Sequence, residues 1–257
     1  MLPGALLVFC RILSYFSVMP LISSRNIPNL WKIGMAAMLA FITLPTLETA
    51  QGPAFDDGYI VLLLKEIVVG LALGFVGLLF FSAIQASGSF IDMQIGFGIA
   101  NIVDPMTGQQ TPLIGQLKYM IALVLMLAVN AHHIVISAII ESYRWIPLES
   151  ADFYSVWAKG NPADFLVRGL ADMFAISFKL AAPLVVAVFL VDLALGILAK
   201  TAPQFNVFVL GIPIKILVAL LLLMVLMSSF IGLFTELYGT IFENMRRFLD
   251  LFATGSS

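Results

Sequence analysis

The chain has 257 residues, of which 61% are hydrophobic and 11% are charged, and its mean hydropathy is +1.05. Soluble domains are roughly half apolar and about a quarter charged, so this is the composition of a membrane protein. The formal net charge of −2 gives no basic field for nucleic acid. A single cysteine, Cys10, excludes an intrachain disulfide and a Cys-based metal cluster.

A membrane-spanning helix needs about 20 mainly apolar residues. Six stretches approach or exceed that length, and in chain order they cover roughly 4–22, 33–47, 60–86, 119–140, 173–198 and 207–235. Polar segments with glycine and proline separate them, and no sustained apolar/polar alternation of the kind found in a β-barrel runs through them. The sequence therefore predicts an all-α membrane protein with about six hydrophobic helices.

Ionisable residues lie inside or at the edges of these stretches: Arg11, Lys65, Glu66, Lys179, Asp192 and Lys215. A charge at bilayer depth costs a few kcal/mol and usually faces protein or water. The basic residues of the connecting segments divide almost evenly between the two sides of a six-span topology, so they do not orient the chain. We expect helices that pack mainly against protein and only partly against lipid.

The last two stretches, 173–198 and 207–235, predict a helical hairpin. The connection between them contains three predicted turn residues: Pro203, Gln204 and Asn206. Pro203 ends the first helix, whereas Gly211 and Pro213 favour a new start for the second.

Three charges belong to the apolar helices of this hairpin: Lys179, Asp192 and Lys215. With the turn near residue 204, Asp192 lies opposite about residue 216, which is close to Lys215. A Lys–Asp pair across the hairpin would neutralise two charges that are costly in a membrane. The alternative is that each charge reaches the membrane surface or meets a different subunit.

The stretch 88–117, GSFIDMQIGFGIANIVDPMTGQQTPLIGQL, is too broken to span a bilayer and too apolar for an ordinary solvated loop. Its succession G-x-F-I-D-x-Q-x-G-F-G-I-A at 88–100, then D-P-M-T-G-Q-Q-T-P at 104–112, resembles the FliR family, the R subunits of the flagellar type III protein-export gate. Further matches are N-A-H-H-I-V-I-S-A-I-I-E-S-Y at 130–143, A-P-Q-F-N-V-F-V-L-G-I-P-I-K at 202–215 and S-R-N-I-P at 24–28. Ala131 stands where the family leads us to expect glycine. The motifs resemble the flagellar branch more than the related injectisome subunits, and the equivalent virulence injectisome subunit is the alternative within this resemblance.

The resemblance implies a location, an assembly and a division of the chain. FliR-like proteins assemble with FliP and FliQ, and with FlhB as a further partner, in the bacterial inner membrane at the flagellar basal body. Unfolded flagellar proteins are exported through this helical hetero-oligomer, which rises above the membrane plane toward the periplasm. The implied division is a FliP-like half over 1–150, a polar connection over 151–172, and a FliQ-like hairpin with an amphipathic tail over 173–257.

The resemblance also implies a plug that projects into the central channel and helps to close it. Its predicted residues are Asp104, Pro105, Met106, Thr107, Gly108, Gln109, Gln110, Thr111, Pro112, Leu113 and Ile114. Irregular backbone at membrane depth is tolerated only against protein or a water-filled cavity, and the neighbouring glutamines can hydrogen-bond it. Met106, Leu113 and Ile114 can form an apolar constriction, which closes by dewetting. The alternative is a plain loop between two spans.

Upstream of the plug, apolar and polar or small residues alternate from Ile91 to Ala100. This period of two is typical of a strand, but in an all-helical chain we predict a bent or broken helix with glycines at a close subunit contact. The residues predicted to pack against a subunit are Gly88, Asp92, Gln94, Gly96 and Gly98.

No catalytic constellation, phosphate-binding loop or dinucleotide fingerprint can be read in the chain, so we expect no enzymatic activity and no cofactor. His132 and His133 are adjacent, and their directions on a helix differ by about 100°, which favours packing or hydrogen bonding over metal binding. The tail ENMRRFLDLF is amphipathic and is predicted to dock on a partner chain or, as the alternative, on lipid headgroups.

Two other functions compete with an export-gate subunit. A small-solute transporter would use Asp192 and Lys215 as midplane charges, but it should show two similar halves, and no internal repeat is found. A membrane-embedded enzyme would have to use the histidines without a catalytic constellation. The sequence therefore favours the export gate over both.

Overall fold

The computed structural model describes residues 2–24, 27–47, 58–97, 112–149, 152–159, 161–204 and 206–253. The helices in this part of the chain are α1 (Leu2–Val18), α2 (Pro20–Ser23), α3 (Asn29–Thr43), α4 (Tyr59–Ile95), α5 (Leu113–Ala128), α6 (Ala131–Trp145), α7 (Asp152–Ala158), α8 (Asn161–Thr201) and α9 (Val207–Ala253). A short 3-10 turn, Leu44–Thr46, follows α3. No strand occurs among the described residues, which confirms the predicted all-α class.

Among the described residues, three helices are long and apolar enough to cross a membrane, namely α4 and most of α8 and α9. A fourth span results if α5 and α6, which meet at a 77° bend, are taken together. At 41 and 47 residues, α8 and α9 are about 61 and 70 Å long, roughly twice the thickness of the hydrocarbon core. The predicted membrane helices are present, but fewer of them are full spans than the six apolar stretches suggest.

The bend between α5 and α6 replaces the continuous apolar stretch expected over 119–140. Asn130 adopts a left-handed backbone with φ of 57°, the only positive φ among the described non-glycine residues. Asparagine tolerates this conformation better than other L-residues because its short amide can hydrogen-bond locally. The chain therefore turns at Asn130, and α6 begins one residue later.

The chain forms two compact units, each assembled from separated segments. Unit 1 comprises Met1–Phe80, Met126–Leu170 and Leu237–Ser257, and unit 2 comprises Phe81–Leu125 and Ala171–Glu236. These units do not follow the order of the chain. The division at 1–150, 151–172 and 173–257, which refers to resemblance with other subunits, stays a prediction.

In unit 1, α1 is enclosed by its neighbours. Ala36, Ala40 and Thr43 are the buried residues of α3, and α3 packs on α1. On α4, a Cβ atom added at Gly70 would lie 2.3 Å from the backbone oxygen of Arg11, so only glycine permits this approach. Leu7, Val8, Ile12, Tyr15 and Phe16 of α1 are fully buried. Helix α1 therefore forms the centre of the packing in this unit.

The amphipathic end of α9 packs inside unit 1, which corrects the expectation that it docks elsewhere. Phe252 stacks on Phe153 with ring centroids 5.4 Å apart, and Phe248 lies 5.8 Å from the ring of Phe165. Both tail phenylalanines are buried. The apolar face of the tail is therefore covered by its own chain, since α7 and the start of α8 supply the aromatic surface that the sequence alone did not reveal.

In unit 2, the two hairpin helices expose large apolar side chains. On α8 they include Phe174, Val186, Phe189, Leu190 and Leu193, and on α9 Leu217, Leu221, Met224 and Val225. Water does not stabilise such a surface, so it requires lipid or another protein chain.

Candidate functional site

The predicted plug stretch is anchored in unit 2 by the end of α4 and the start of α5. Helix α4 stays regular through Ile95, so the alternating sequence does not form a strand, and it stops at Gly96, whose φ is 100°. A positive φ is readily adopted only by glycine. The predicted break in this helix is thus present at Gly96, whereas Gly98 and residues 104–111 lie outside the described residues.

Asp92 joins these two anchors. Its carboxylate accepts the backbone N–H of Ile114 at 3.0 Å and that of Gly115 at 3.2 Å. The first N–H groups of a helix have no partner within the helix, and a carboxylate near them also interacts favourably with the helix dipole. Asp92, one turn before the end of α4, therefore caps α5 from the neighbouring helix.

A glycine pair allows α4 and α5 to approach closely beside this cap. A Cβ atom added at Gly88 would lie 2.2 Å from the Cα atom of Gly115, a distance that no side chain could tolerate. Next to this pair, the buried Lys118 donates to Ser87 Oγ at 2.6 Å, and its Nζ lies 4.4 Å from the ring centroid of Phe230. Gly88 and Asp92 thus make close contacts within the chain, and a role for them in packing against another subunit stays a prediction.

The hairpin charges reach the same region. Lys215 of α9 forms an ion pair with Asp192 of α8, the arrangement expected from the position of the turn. The second carboxylate oxygen of Asp192 accepts a hydrogen bond from Gln94 Nε2 at 3.1 Å. Lys179, the third predicted hairpin charge, is exposed on α8 and has no carboxylate partner among the described residues. Two of the three hairpin charges therefore belong to this site.

The described end of the predicted plug divides into an exposed and a buried part. Leu113 is 66% exposed, whereas Ile114 is 2% exposed and lies in the first turn of α5, which Asp92 caps. Pro112, immediately before α5, is half-buried. Leu113 is thus available for contact with another molecule, whereas the side chain of Ile114 is buried within unit 2.

The turn of the hairpin is tighter than the sequence indicates. Helix α8 ends at Thr201, just before Pro203 and Gln204, and α9 already begins at Val207. Asn206 caps α9 because its Oδ1 accepts the N–H of Val209 at 3.4 Å. The start of α9 agrees with the predicted apolar stretch from 207, whereas the new start favoured at Gly211 and Pro213 is wrong, because both residues lie inside the helix. A proline inside a helix removes one backbone hydrogen bond, and its ring also crowds the carbonyl group four residues earlier.

A second polar cluster lies in unit 1. The sequence showed its charged residues, Arg11, Lys65 and Glu66, but did not predict that they lie together. Arg11 holds the carboxylate of Glu66 with two bonds, from Nε at 2.5 Å and from Nη2 at 2.8 Å. Lys65 Nζ lies 3.3 Å from the same carboxylate and donates to the carbonyl oxygens of Pro147 and Leu148, both at 2.7 Å. Neither of the basic residues, nor Glu66, has any exposed side-chain surface.

This cluster ties together the end of α6 and two other helices. Arg11 also donates to Ser142 Oγ at 3.1 Å and to the carbonyl oxygen of Ile146 at 2.9 Å, and it lies over the ring of Tyr143. The last carbonyls of a helix lack partners, and cationic side chains are favourable there. The adjacent pair Lys65–Glu66 inside an apolar stretch was the available signal in the sequence, but nothing in it identified Arg11 as the partner.

The two histidines lie in the first turn of α6, directly after the bend. Their ring centroids are 4.2 Å apart, and His132 Nδ1 is buried without a hydrogen-bond partner among the described residues. In the part of the chain that the structure describes, no three His, Cys, Asp or Glu side chains are grouped as metal ligands would be. The packing role expected for them stays a prediction.

Comparison with known proteins gives relatives along almost the whole chain. The model of the family described as "Bacterial export proteins, family 1" matches residues 2–241. The chain is 43% identical to the flagellar biosynthetic protein FliR of Bacillus subtilis, over 97% of this chain and 95% of the relative. It is 31% identical to FliR of Escherichia coli, over 91% of this chain and 87% of that relative.

A relative from another secretion system also matches. The Yop proteins translocation protein T of Yersinia pestis is 31% identical over 85% of this chain and 84% of the relative. The family match covers the segments that form both anchors of the predicted plug, the hairpin and the buried cluster of unit 1. The chain belongs to family 1 of the bacterial export proteins.

Proposed function

We propose that this chain, a subunit of a type III protein export apparatus, helps to line and seal the channel through which unfolded flagellar proteins cross the inner membrane. The flagellar assignment is supported by 43% identity to a flagellar FliR protein, compared with 31% identity to a Yop translocation protein. The channel-sealing element is the stretch Asp104 to Ile114. Its partners are FliP-like and FliQ-like subunits and an FlhB-like export protein, at the flagellar basal body.

The observation that supports sealing most directly is the bond between the two anchors of segment 98–111. Because Asp92 of α4 caps the first turn of α5, the segment starts and ends on helices that are held side by side. The backbone contact between Gly88 and Gly115 fixes this base further. Both ends of a segment rooted at this base are held in place, as a channel-sealing element requires.

The apolar exposure of the hairpin supports the proposed assembly. Phe174, Phe189 and Leu193 on α8 and Leu217 and Met224 on α9 are among the large side chains that this chain leaves uncovered. Both helices are longer than the bilayer core is thick, so their exposed apolar faces need not lie wholly in lipid. Partner helices of the same apolar character would cover the remainder. A transporter acting alone would instead purify as this chain by itself, without FliP-like and FliQ-like chains.

A deletion of residues 106–111 tests the sealing role because it leaves Pro112, α5 and the Asp92 cap in place. The measurements are the ion leak across the inner membrane and the export of flagellar substrates, in cells whose assembled complex is verified by purification. We expect a raised leak with export retained. A deletion of equal length at 50–55, in the connection between α3 and α4, is the matched control and should not raise the leak.

An intact complex with an unchanged leak after deletion of 106–111 would make the stretch a plain connector and refute the sealing role. If the deletion prevents assembly, Met106→Ser replaces it, because it changes one apolar side chain and leaves the length of the segment unchanged. A more polar constriction wets more readily, so this variant should also raise the leak.

A further inference from the structure

A polar chain in unit 2 connects the end of α4 with both helices of the hairpin. Gln94, in the last turn of α4, donates to Asp192 Oδ2 on α8 at 3.1 Å. The other oxygen of the same carboxylate, Oδ1, binds the ammonium group of Lys215 on α9. Asp192 is therefore shared between the end of α4 and the second helix of the hairpin.

The last turn of α4 is the part of that helix with the greatest need for such a bond. The final carbonyls of a helix have no partners within it, and its last turn is prone to fraying. Here the helix stops at Gly96, which has a positive φ. Glycine has more backbone freedom than any other residue, so it does little to hold the helix end in place. A hydrogen bond to an ionised carboxylate is roughly twice as strong as one between neutral groups. The bond from Gln94 to Asp192 therefore fixes the turn that would otherwise open first.

We propose that the Asp192–Lys215 ion pair is a positioning device for the end of α4. Lys215 orients the carboxylate of Asp192, and the oriented carboxylate holds Gln94. The functional consequence rests on the proposed sealing role: segment 98–111 departs from this end of α4, so the hairpin sets the position of its upstream anchor. A partner chain that shifts α8 against α9 would transmit that shift to the base of the plug.

Hydrogen exchange of the backbone amides at 93–97, measured in the assembled complex, tests the coupling without reference to sealing. Gln94→Leu and Lys215→Met should each raise exchange there by about tenfold, as expected for loss of one hydrogen bond to a charged group. The double variant should exceed the larger single effect by little, because both changes act through Asp192. Lys215→Arg, which keeps the charge, should restore the exchange of the original protein.

Gln85→Leu is the matched control for Gln94→Leu. Gln85 lies on the same helix and is also half-buried, but its side chain has no hydrogen-bond partner among the described residues. Its replacement should leave exchange at 93–97 unchanged. If Lys215→Met does not assemble, Asp192→Asn is measured instead, since its amide oxygen still accepts from Gln94 but the ion pair is lost; exchange should rise with this variant too.

Unchanged exchange at 93–97 in Lys215→Met, or in Asp192→Asn where that variant replaces it, would overturn the proposal. Fully additive effects of Gln94→Leu and Lys215→Met would also overturn it, since the two residues would then act separately. The sealing role is judged by the ion leak after deletion of 106–111. If that leak is normal while the exchange data show coupling, the sealing role fails and the positioning role stands. If the leak is raised while exchange at 93–97 is unchanged, the sealing role stands and the positioning role fails.

Discussion

Replacing Glu66 with glutamine should lower the stability of unit 1 by about 3 kcal/mol. Glu66 is the carboxylate between two fully buried cations, bonded to Arg11 at 2.5 and 2.8 Å and lying 3.3 Å from Lys65 Nζ. Breaking a buried ion pair by removing one partner typically costs about 3–5 kcal/mol, because the remaining charge is left uncompensated. The lower end applies here, since Arg11 keeps Ser142 and a backbone carbonyl, and Lys65 keeps two carbonyls.

The thermal unfolding midpoint of the purified complex in detergent measures this loss. In a domain of this size, about 1 kcal/mol corresponds to roughly 2–4 °C, so Glu66→Gln should lower Tm by about 6–12 °C. Glu243→Gln is the matched control, because Glu243 pairs with Arg247 at 4.0 Å on an exposed face with both side chains 68% exposed. Exposed i,i+4 pairs contribute about 0.3–0.5 kcal/mol, so the control should stay within roughly 2 °C of the original protein.

A Tm for Glu66→Gln as close to the original as that of the control would refute this account of the cluster. A double variant provides a second check. Arg11→Met together with Glu66→Leu removes both members of the closest pair, and an apolar replacement of a whole pair is often close to neutral. We therefore expect the double variant to be more stable than the sum of the two single losses indicates. A purely additive result would mean that Arg11 and Glu66 contribute independently.

Three further changes test local geometry by the same thermal measurement. Gly88→Ala should cost about 1–3 kcal/mol, because its Cβ would collide with Gly115, whereas Gly232→Ala, with nothing within 4 Å, should be neutral or stabilising by up to about 1 kcal/mol. Asp92→Ala should cost about 1–2 kcal/mol through loss of the α5 cap; a Tm unchanged from the original would contradict the capping role. Asn130→Val should destabilise the bend because its φ is 57°, whereas Asn130→Gly should be tolerated; equal effects of the two would contradict a strained backbone there.

Much of the helical framework could be predicted because apolar length is a local property of the sequence. The hairpin pair Asp192–Lys215 could also be predicted, since a tight turn converts a sequence separation into a contact across two helices. The bend at Asn130 could not, because the apolar stretch runs through it and one left-handed residue leaves no composition signal. Likewise, Arg11 and Glu66 are 55 residues apart, with no turn of known geometry between them.

In the candidate site, the sequence indicated which residues make contacts but not which chain they contact. The sequence identified Gly88, Asp92 and Gln94 as special, but assigned them to contacts with another subunit. In the structure each of these residues has a partner within the chain: the backbone at Gly115 for Gly88, the first amides of α5 for Asp92, and Asp192 for Gln94. Small and polar residues in an apolar helix indicate a close or polar contact, but they do not indicate which chain provides it.

The two ionic clusters differ in burial, and this difference determines what each can do. The Arg11–Glu66 pair has no exposed side-chain surface, so opening it would cost more than a few new contacts with a partner can supply. The Asp192–Lys215 pair keeps 33% and 19% of its side-chain surface exposed in this chain. A partly exposed pair opens at less cost than a fully buried one, so a new contact from a neighbouring subunit can redirect the carboxylate. The buried cluster is therefore suited to hold a permanent framework, and the hairpin pair is suited to respond to assembly.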